Sequence, residues 1–309
     1  MEFEEYFRRG GQLEAAGRYD EAFAAYAEAN RLQRQPEAAA AYEAQEVEAL
    51  EAALALLPGQ VLGQLMGGGE RTRAPIFMVG MPRSGLSLVE GTLAAHEQVT
   101  SLGETPLLET VARGKFPMNR RAPFPPGHFK TLGGEFLAGA RKAGWRGVGR
   151  FTNRHLGNIW YLGVARAMFP NSTVVHVTRD PIDTCLAIWV MQFGKNAPLA
   201  NDLGDIGRQY VRYRTLVDHW VKNLPGKMLH LKYEGLVERP EASIRDLLQA
   251  ADLTWSDSCL RWFDSQRGTV TGAGQAAMQN EVVGRWRRFE KHLGPLLEAL
   301  GPYVTEVVT

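Results

Sequence analysis

The stretch "IFMVGMPRSGLSLVEGTL", residues 76 to 93, constrains the fold more than any other, because an apolar run passes through a glycine-bounded loop straight into a helical pattern. Pro75 to Val79 reads as a buried strand, Ser84 to Ala95 as a helix, and "QVTSL", ending at Leu102, as a second strand, which together make a βαβ unit. Gly80, Gly85 and Ser87 fall where a loop of the form G-x-x-x-x-G-K-[ST] places its two glycines and its hydroxyl, with Leu86 in the lysine's place. The backbone cradle for a phosphate-like group is kept. The cation that serves β- and γ-phosphates is missing.

The plan repeats downstream. "GVGRFT" (147 to 152), a helix over about 157 to 168, "STVVHVT" (172 to 178) and "KMLHLKY" (227 to 233) add strands, so the chain reads as α/β, with a P-loop-like parallel sheet flanked by helices. Ligands of open parallel sheets bind outside the carboxyl ends of the strands. Arg83 follows the first strand, Glu104 the second, Arg154 the third, Arg179 the fourth, and Tyr233 with Glu234 the fifth. Three arginines and a carboxylate therefore converge on one edge.

Residues 1 to 66 follow a different pattern, rich in Ala, Glu, Gln and Leu. "LEAAGRYDEAFAAYAEANRLQ" puts Ala22, Tyr26 and Ala29 on one helical face behind Gly17 and Tyr19, as in one tetratricopeptide repeat. A single repeat cannot bury its own face, so the hairpin has to pack on something. "MGGGERTRAP", residues 66 to 75, breaks the pattern and predicts a helical segment over 1–70 and a main domain over 71–309.

With 309 residues, 45% hydrophobic and 22% charged, the chain can bury a sizeable core, and a net charge of +1 offers no bulk field for gripping nucleic acid. Cys185 and Cys259 are too few and too distant for a metal cluster or a disulfide framework, and they read as core residues. The charged start "MEFEEYFRRGGQ" has no apolar leader, and no run reaches the roughly 18 apolar residues of a membrane span. The expectation is a cytoplasmic protein without membrane or nucleic-acid partners.

In order along the chain, "VGMPRSGLSLVEGTLAAHEQVTSLGE", "FPNSTVVHVTRDPIDTCLA", "LKYEGLVERPEASIRDLL" and "GRWRRFEKHLGPL" resemble the sulfotransferases, specifically the bacterial tetratricopeptide-containing branch related to protein-tyrosine sulfotransferases. The resemblance covers about residues 75 to 300. It implies transfer of the sulfuryl group of 3′-phosphoadenosine 5′-phosphosulfate (PAPS) to a hydroxyl or amine of a small molecule or peptide tyrosine, without metal, and it allows a homodimer. It places Arg83, Ser84, Gly85, Leu86, Ser87 and Leu88 at the 5′-phosphosulfate, Arg179 and Arg285 at the 3′-phosphate, Tyr233 beside the cofactor, and Glu104 as general base with Arg83 and Arg154 assisting. The phosphate–sulfate pair of PAPS carries less charge than a triphosphate, which accounts for the missing lysine.

Read from the residues alone, Glu104 also serves as a cap for a helix at Pro106, and Arg179 as an ion-pair partner of Asp180 or Asp183, which themselves read as helix caps. His96, His155 and His176 are weaker candidates for the base, with His96 and His176 expected in the scaffold.

Several positions depart from the family pattern. Leu86 replaces a threonine, Asn153, Arg154, His155 and Leu156 replace D-K-x-P, Ala187 replaces a serine, and the stretch "GAGQAAMQNEVV" is shortened, with Gly274 at a serine position and Arg267 or Arg285 as compensating cations. These losses keep open a non-catalytic binding or scaffold protein on the same fold, and Leu86 disfavours a kinase. Segments 113–146 and 192–207 are expected to carry acceptor specificity.

Overall fold

The computed structural model describes residues 2–56, 68–113, 127–193, 197–224, 226, 228–266 and 283–307. Along the chain run α1 (Glu2–Ala15), α2 (Tyr19–Gln33), α3 (Pro36–Leu56), β1 (Pro75–Val79), α4 (Leu86–Ala94), β2 (Val99–Glu104), α5 (Leu107–Ala112), α6 (His128–Lys142) and β3 (Arg150–Arg154). There follow a 3-10 helix at Leu156–Tyr161, α7 (Leu162–Met168), β4 (Thr173–Thr178), α8 (Pro181–Trp189), α9 (Leu203–Asn223), β5 (Met228–Lys232), α10 (Tyr233–Glu238), α11 (Pro240–Ala250) and α12 (Asp257–Ser265). A 3-10 helix at Arg285–His292 and α13 (Gly294–Leu300) come after.

The chain divides into two compact units. One holds Ala49–Thr178 and Thr215–Thr269, the other Met1–Glu48, Arg179–Arg214 and Val270–Thr309.

The first unit is built on a five-stranded parallel sheet of order β2-β3-β1-β4-β5. Ile76, Phe77, Met78 and Val79 of β1 are fully buried, as an unbroken apolar strand covered on both faces must be. Phe136 on α6 stacks its ring 5.4 Å from Phe77 and 6.0 Å from Phe151, and 5.4 Å from Phe169 after α7. The chain leaves β1 towards β2 and leaves β4 towards β5, so the switch of direction, where open sheets form a ligand crevice, lies at the carboxyl ends of β1 and β4.

β2 and β3 run further than the local sequence predicts, so Glu104 and Arg154 end their strands and do not follow them. Pairing holds them there: Glu104 lies in register with Arg154, and Thr105 N–H donates to the Arg154 carbonyl at 3.2 Å. The helix read over 157–168 begins as a 3-10 helix. The amphipathic stretch 284–301 is also broken, because Pro295 in the first turn of α13 cannot continue the preceding helix.

In the second unit the N-terminal hairpin finds the partner that its own size denies it. Gly17 turns with φ +74°, and Ala22, Tyr26 and Ala29 are buried. Asn30 Nδ2 donates to the Trp189 carbonyl at 2.9 Å, Phe23 lies 4.7 Å from the Trp189 ring, and Arg212 reaches Glu43 at 2.7 Å and Glu46 at 3.0 Å. Among the described residues no helix is long and apolar enough to cross a membrane.

A contact between α4 and α12 allows a test of the packing. A Cβ added at Gly91 would lie 2.0 Å from Trp262 Cη2. Gly91→Ala is therefore expected to lower stability by about 1–2 kcal/mol in urea unfolding, overpacking outweighing the gain in helix propensity. Adding Trp262→Leu should remove most of that loss.

Candidate active site

The loop between β1 and α4 is shaped by its backbone. Arg83 sits in the left-handed region at φ +67°, which costs a side-chain-bearing residue roughly 1–2 kcal/mol, and Gly85 follows at φ +103°. α4 then opens with no side-chain cap, so the first N–H groups of the helix face the loop. Ser84 is 2% exposed, yet its Oγ has no hydrogen-bond partner among the described residues. Tyr233 closes on Gly85, where an added Cβ would lie 2.7 Å from the ring, and at Gly80 it would lie 2.6 Å from Ser84 Oγ.

Leu86, in the place of the lysine, is buried, with its Cγ 3.1 Å from where a Gly80 Cβ would stand, whereas Ser87 is exposed. Unfilled N–H groups, a buried hydroxyl in want of a donor or acceptor, and glycines that keep the space open together fit an oxyanion.

The ends of β2 and β3 carry the acid–base groups. Between Ser101 and Glu104 the register shifts, so three steps along β2 match two along β3, from Thr152 to Arg154. Gly103 supplies the bulge with φ +66°. One extra residue brings Glu104 to the same face as Ser101, since side chains alternate across a strand. Arg154 Nη1 donates to Glu104 Oε2 at 3.1 Å, and Nε donates to Glu90 Oε2 at 2.6 Å.

The Glu104 side chain is 53% exposed, and its Oε1 accepts no hydrogen bond among the described residues. It does not cap α5, which starts without a side-chain cap.

Glu90 is the residue that the sequence reading missed. It is buried on α4, and its Oε1 accepts from Ser101 Oγ at 2.9 Å and Thr152 Oγ1 at 2.7 Å. The available signal was a carboxylate set among Leu86, Val89 and Leu93 on an apolar helical face.

The histidines serve the scaffold. His96 Nδ1 accepts from Gln98 N–H at 3.1 Å, His155 Nδ1 accepts from Gly157 N–H at 3.2 Å, and His176 Nδ1 lies 2.9 Å from His230 Nδ1.

The other unit holds Arg179 and Arg285. Arg179 is buried, one residue beyond β4. Asp180 caps α8 by accepting from Ile182 N–H at 2.8 Å and Asp183 N–H at 2.9 Å. Asp183 caps a different helix: it accepts from Gly284 N–H at 2.5 Å and Trp286 N–H at 2.9 Å, and burial holds its carboxyl above the usual range. Arg285 gives Nε and Nη2 to the Glu14 carboxylate, at 2.6 Å for Nε. Ala187 is buried. Arg267, Gly274 and parts of the two expected acceptor segments (114–126 and 194–196) lie outside the described residues.

Comparison with known proteins gives a family. A profile described as "Sulfotransferase family" matches residues 75–257. An uncharacterized protein of Aquifex aeolicus (strain VF5) is 29% identical over 307 residues, which cover 93% of this chain and 40% of that protein. The chain thus spans about two fifths of that relative's length. A Caenorhabditis briggsae protein described as "Putative protein-tyrosine sulfotransferase" is 24% identical over 193 residues, 60% of this chain and 68% of that one. Among solved structures, the sulfotransferase domain from the curacin biosynthetic pathway aligns with a TM-score of 0.55 at 15% identity, covering 77% of this chain and 98% of that domain. At that identity the likeness is one of fold.

The bulge carries its own test. A Cβ at Gly103 would meet nothing within 4 Å, so only the positive φ resists substitution. Gly103→Ala should cost about 1–2 kcal/mol in urea unfolding, and Gly103→Asn clearly less, because asparagine tolerates the left-handed region.

Proposed function

This chain belongs to the sulfotransferase family, and we propose that it moves the sulfuryl group of PAPS to a hydroxyl or amine acceptor, with Glu104 as general base. The observation that carries the reading is the exposed Glu104 carboxylate, held by Arg154 at the carboxyl edge of the same sheet whose central strand opens into an uncapped anion cradle. Bound PAPS supplies an activated sulfuryl group whose leaving group is adenosine 3′,5′-bisphosphate.

The protein's own groups divide the work. The N–H groups at Gly85, Leu86 and Ser87, the Ser84 and Ser87 hydroxyls and the Arg83 guanidinium would hold the 5′-phosphosulfate, with the Tyr233 ring against Gly85, whereas the Leu88 N–H already donates to the Gly85 carbonyl at 3.0 Å. Arg179 would take the 3′-phosphate in a bidentate contact, the role that the family resemblance implies for it. Glu104 Oε1 would receive the acceptor's proton. The Arg154 guanidinium would stabilise developing negative charge, and as an arginine it is a poor proton donor to the leaving group.

Ligand discrimination tests the cofactor. Adenosine 3′,5′-bisphosphate should raise the melting temperature by a few degrees at about a hundred times its Kd, equivalent to roughly 2.7 kcal/mol, and ADP should raise it less. Equal shifts would remove the role of Arg179.

The base is tested by Glu104→Gln, which keeps the shape of the side chain. Turnover should fall by about 10²- to 10⁴-fold with cofactor affinity retained, measured with labelled PAPS on an acceptor found by screening tyrosine peptides, phenols, sugars and amines. EDTA should leave turnover nearly unchanged. Tight cofactor binding with no productive acceptor would return the chain to the non-catalytic reading.

A further inference from the structure

We propose that Glu90 is a positioning residue for this site: it fixes the Arg154 guanidinium by its Nε edge and so sets both the donors left open on Arg154 and the charge felt by Glu104. The proposal rests on the sulfuryl-transfer reading above and adds to it a residue on α4 that the resemblance does not assign.

The geometry points to this role because the hydrogen bonds around Glu90 are complete. Its Oε1 accepts from Ser101 and Thr152, and its Oε2 accepts from Arg154 Nε at 2.6 Å. The Glu90 side chain is 6% exposed, and a carboxylate so enclosed stays charged only with a cation and hydrogen bonds supplied together. The two hydroxyl donors come from strands on which the bulge has already aligned the side chains. Glu90 is thus held rigidly by β2 and β3, and it holds Arg154 in turn.

The consequence falls on the outer end of the guanidinium. Among the described residues the ionisable groups in contact with Arg154 are Glu90 and Glu104. Nε is committed to Glu90 and Nη1 shares Glu104, which leaves Nη2 without a hydrogen-bond partner among the described residues. That open edge, on a side chain 17% exposed, is the donor available to a developing oxyanion. A guanidinium paired with Glu104 alone would be free to turn both Nη groups onto that carboxylate. It would then withdraw the open donor and weaken the base.

A neutral isostere at Glu90 weakens the hold on Arg154 Nε, which frees the guanidinium to turn towards Glu104 and withdraws the open Nη2 donor.

The test compares wild type with Glu90→Gln by the ¹⁵N–¹H NMR signal of Arg154 Nε in the ligand-free protein, calorimetric binding of adenosine 3′,5′-bisphosphate, and turnover. The expected result is a displaced and faster-exchanging Nε–H signal, an unchanged Kd and a kcat lower by about tenfold to a hundredfold. An Nε–H signal and a kcat unchanged from wild type, in a folded variant with binding intact, overturn the proposal, and Glu90 is then a buried scaffold group.

If Glu90→Gln fails to fold, Glu90→Asp serves, because its shorter side chain withdraws the carboxylate from Arg154 Nε; the same displaced signal and lower kcat are expected, and an unmoved signal with wild-type kcat overturns the proposal equally. Failure of the sulfuryl-transfer reading shows separately, as absence of adenosine 3′,5′-bisphosphate binding by the wild type.

Discussion

The carboxylate of Glu90 ties three elements of the sheet unit together at the end where the site lies. Enclosing a carboxylate costs several kcal/mol unless a cation and hydrogen-bond donors meet it, and here α4 brings the acid, β2 one hydroxyl, and β3 a hydroxyl and the guanidinium. The arrangement also limits the helix. α4 cannot roll on the sheet without breaking these bonds, so the direction of the N–H groups at its start is fixed along with that of Arg154. The anion cradle and the acid–base pair are held by one set of contacts.

The bulge at Gly103 is what makes that set close. Without the extra residue, Ser101 and Glu104, three apart, would face opposite sides of the sheet. Thr152 and Arg154, two apart on β3, already share a face. A left-handed residue on the neighbouring strand brings Glu104 to that face, at the place where bulges commonly re-aim a side chain.

This also explains what could be read from the sequence and what could not. β1, β4 and β5 were legible within a residue at either end. β1 is an unbroken apolar run buried throughout and β4 a mostly buried one centred on three valines, and such runs admit few other readings. The last residues of β2 and β3, "GE" and "NR", are polar and read locally as loop, because their strand character comes from pairing with each other. The placement of Glu104 and Arg154 at the carboxyl edge followed from the strand order of the pattern, but their contact did not. Glu90 and Arg154 lie 64 residues apart, and Glu14 and Arg285 lie 271 apart. A carboxylate on an apolar helical stripe announces that a partner exists without saying which one. The fold of the N-terminal hairpin was visible in Gly17, Ala22 and Tyr26, whereas its seat on Trp189 depends on α8, far along the chain.

Two positions bear on the charge at the site. Leu86 stands where a G-x-x-x-x-G-K-[ST] loop has its lysine and turns its side chain into the core beside Gly80, so charge is absent where a triphosphate would need it. Arg154 replaces a lysine at the end of β3, and it sits between two carboxylates, so Glu90, Glu104 and Arg154 together carry one net negative charge. A lysine could not take that position unchanged. Its ammonium is a compact point charge that would be drawn to whichever acid lay nearer, whereas a planar fork gives one edge to the buried acid and a corner to the exposed one. Nη2 then remains without a hydrogen-bond partner among the described residues. Here a buried acid on α4 is met by a cation with several fixed donors, which satisfies the acid while leaving Nη2 open.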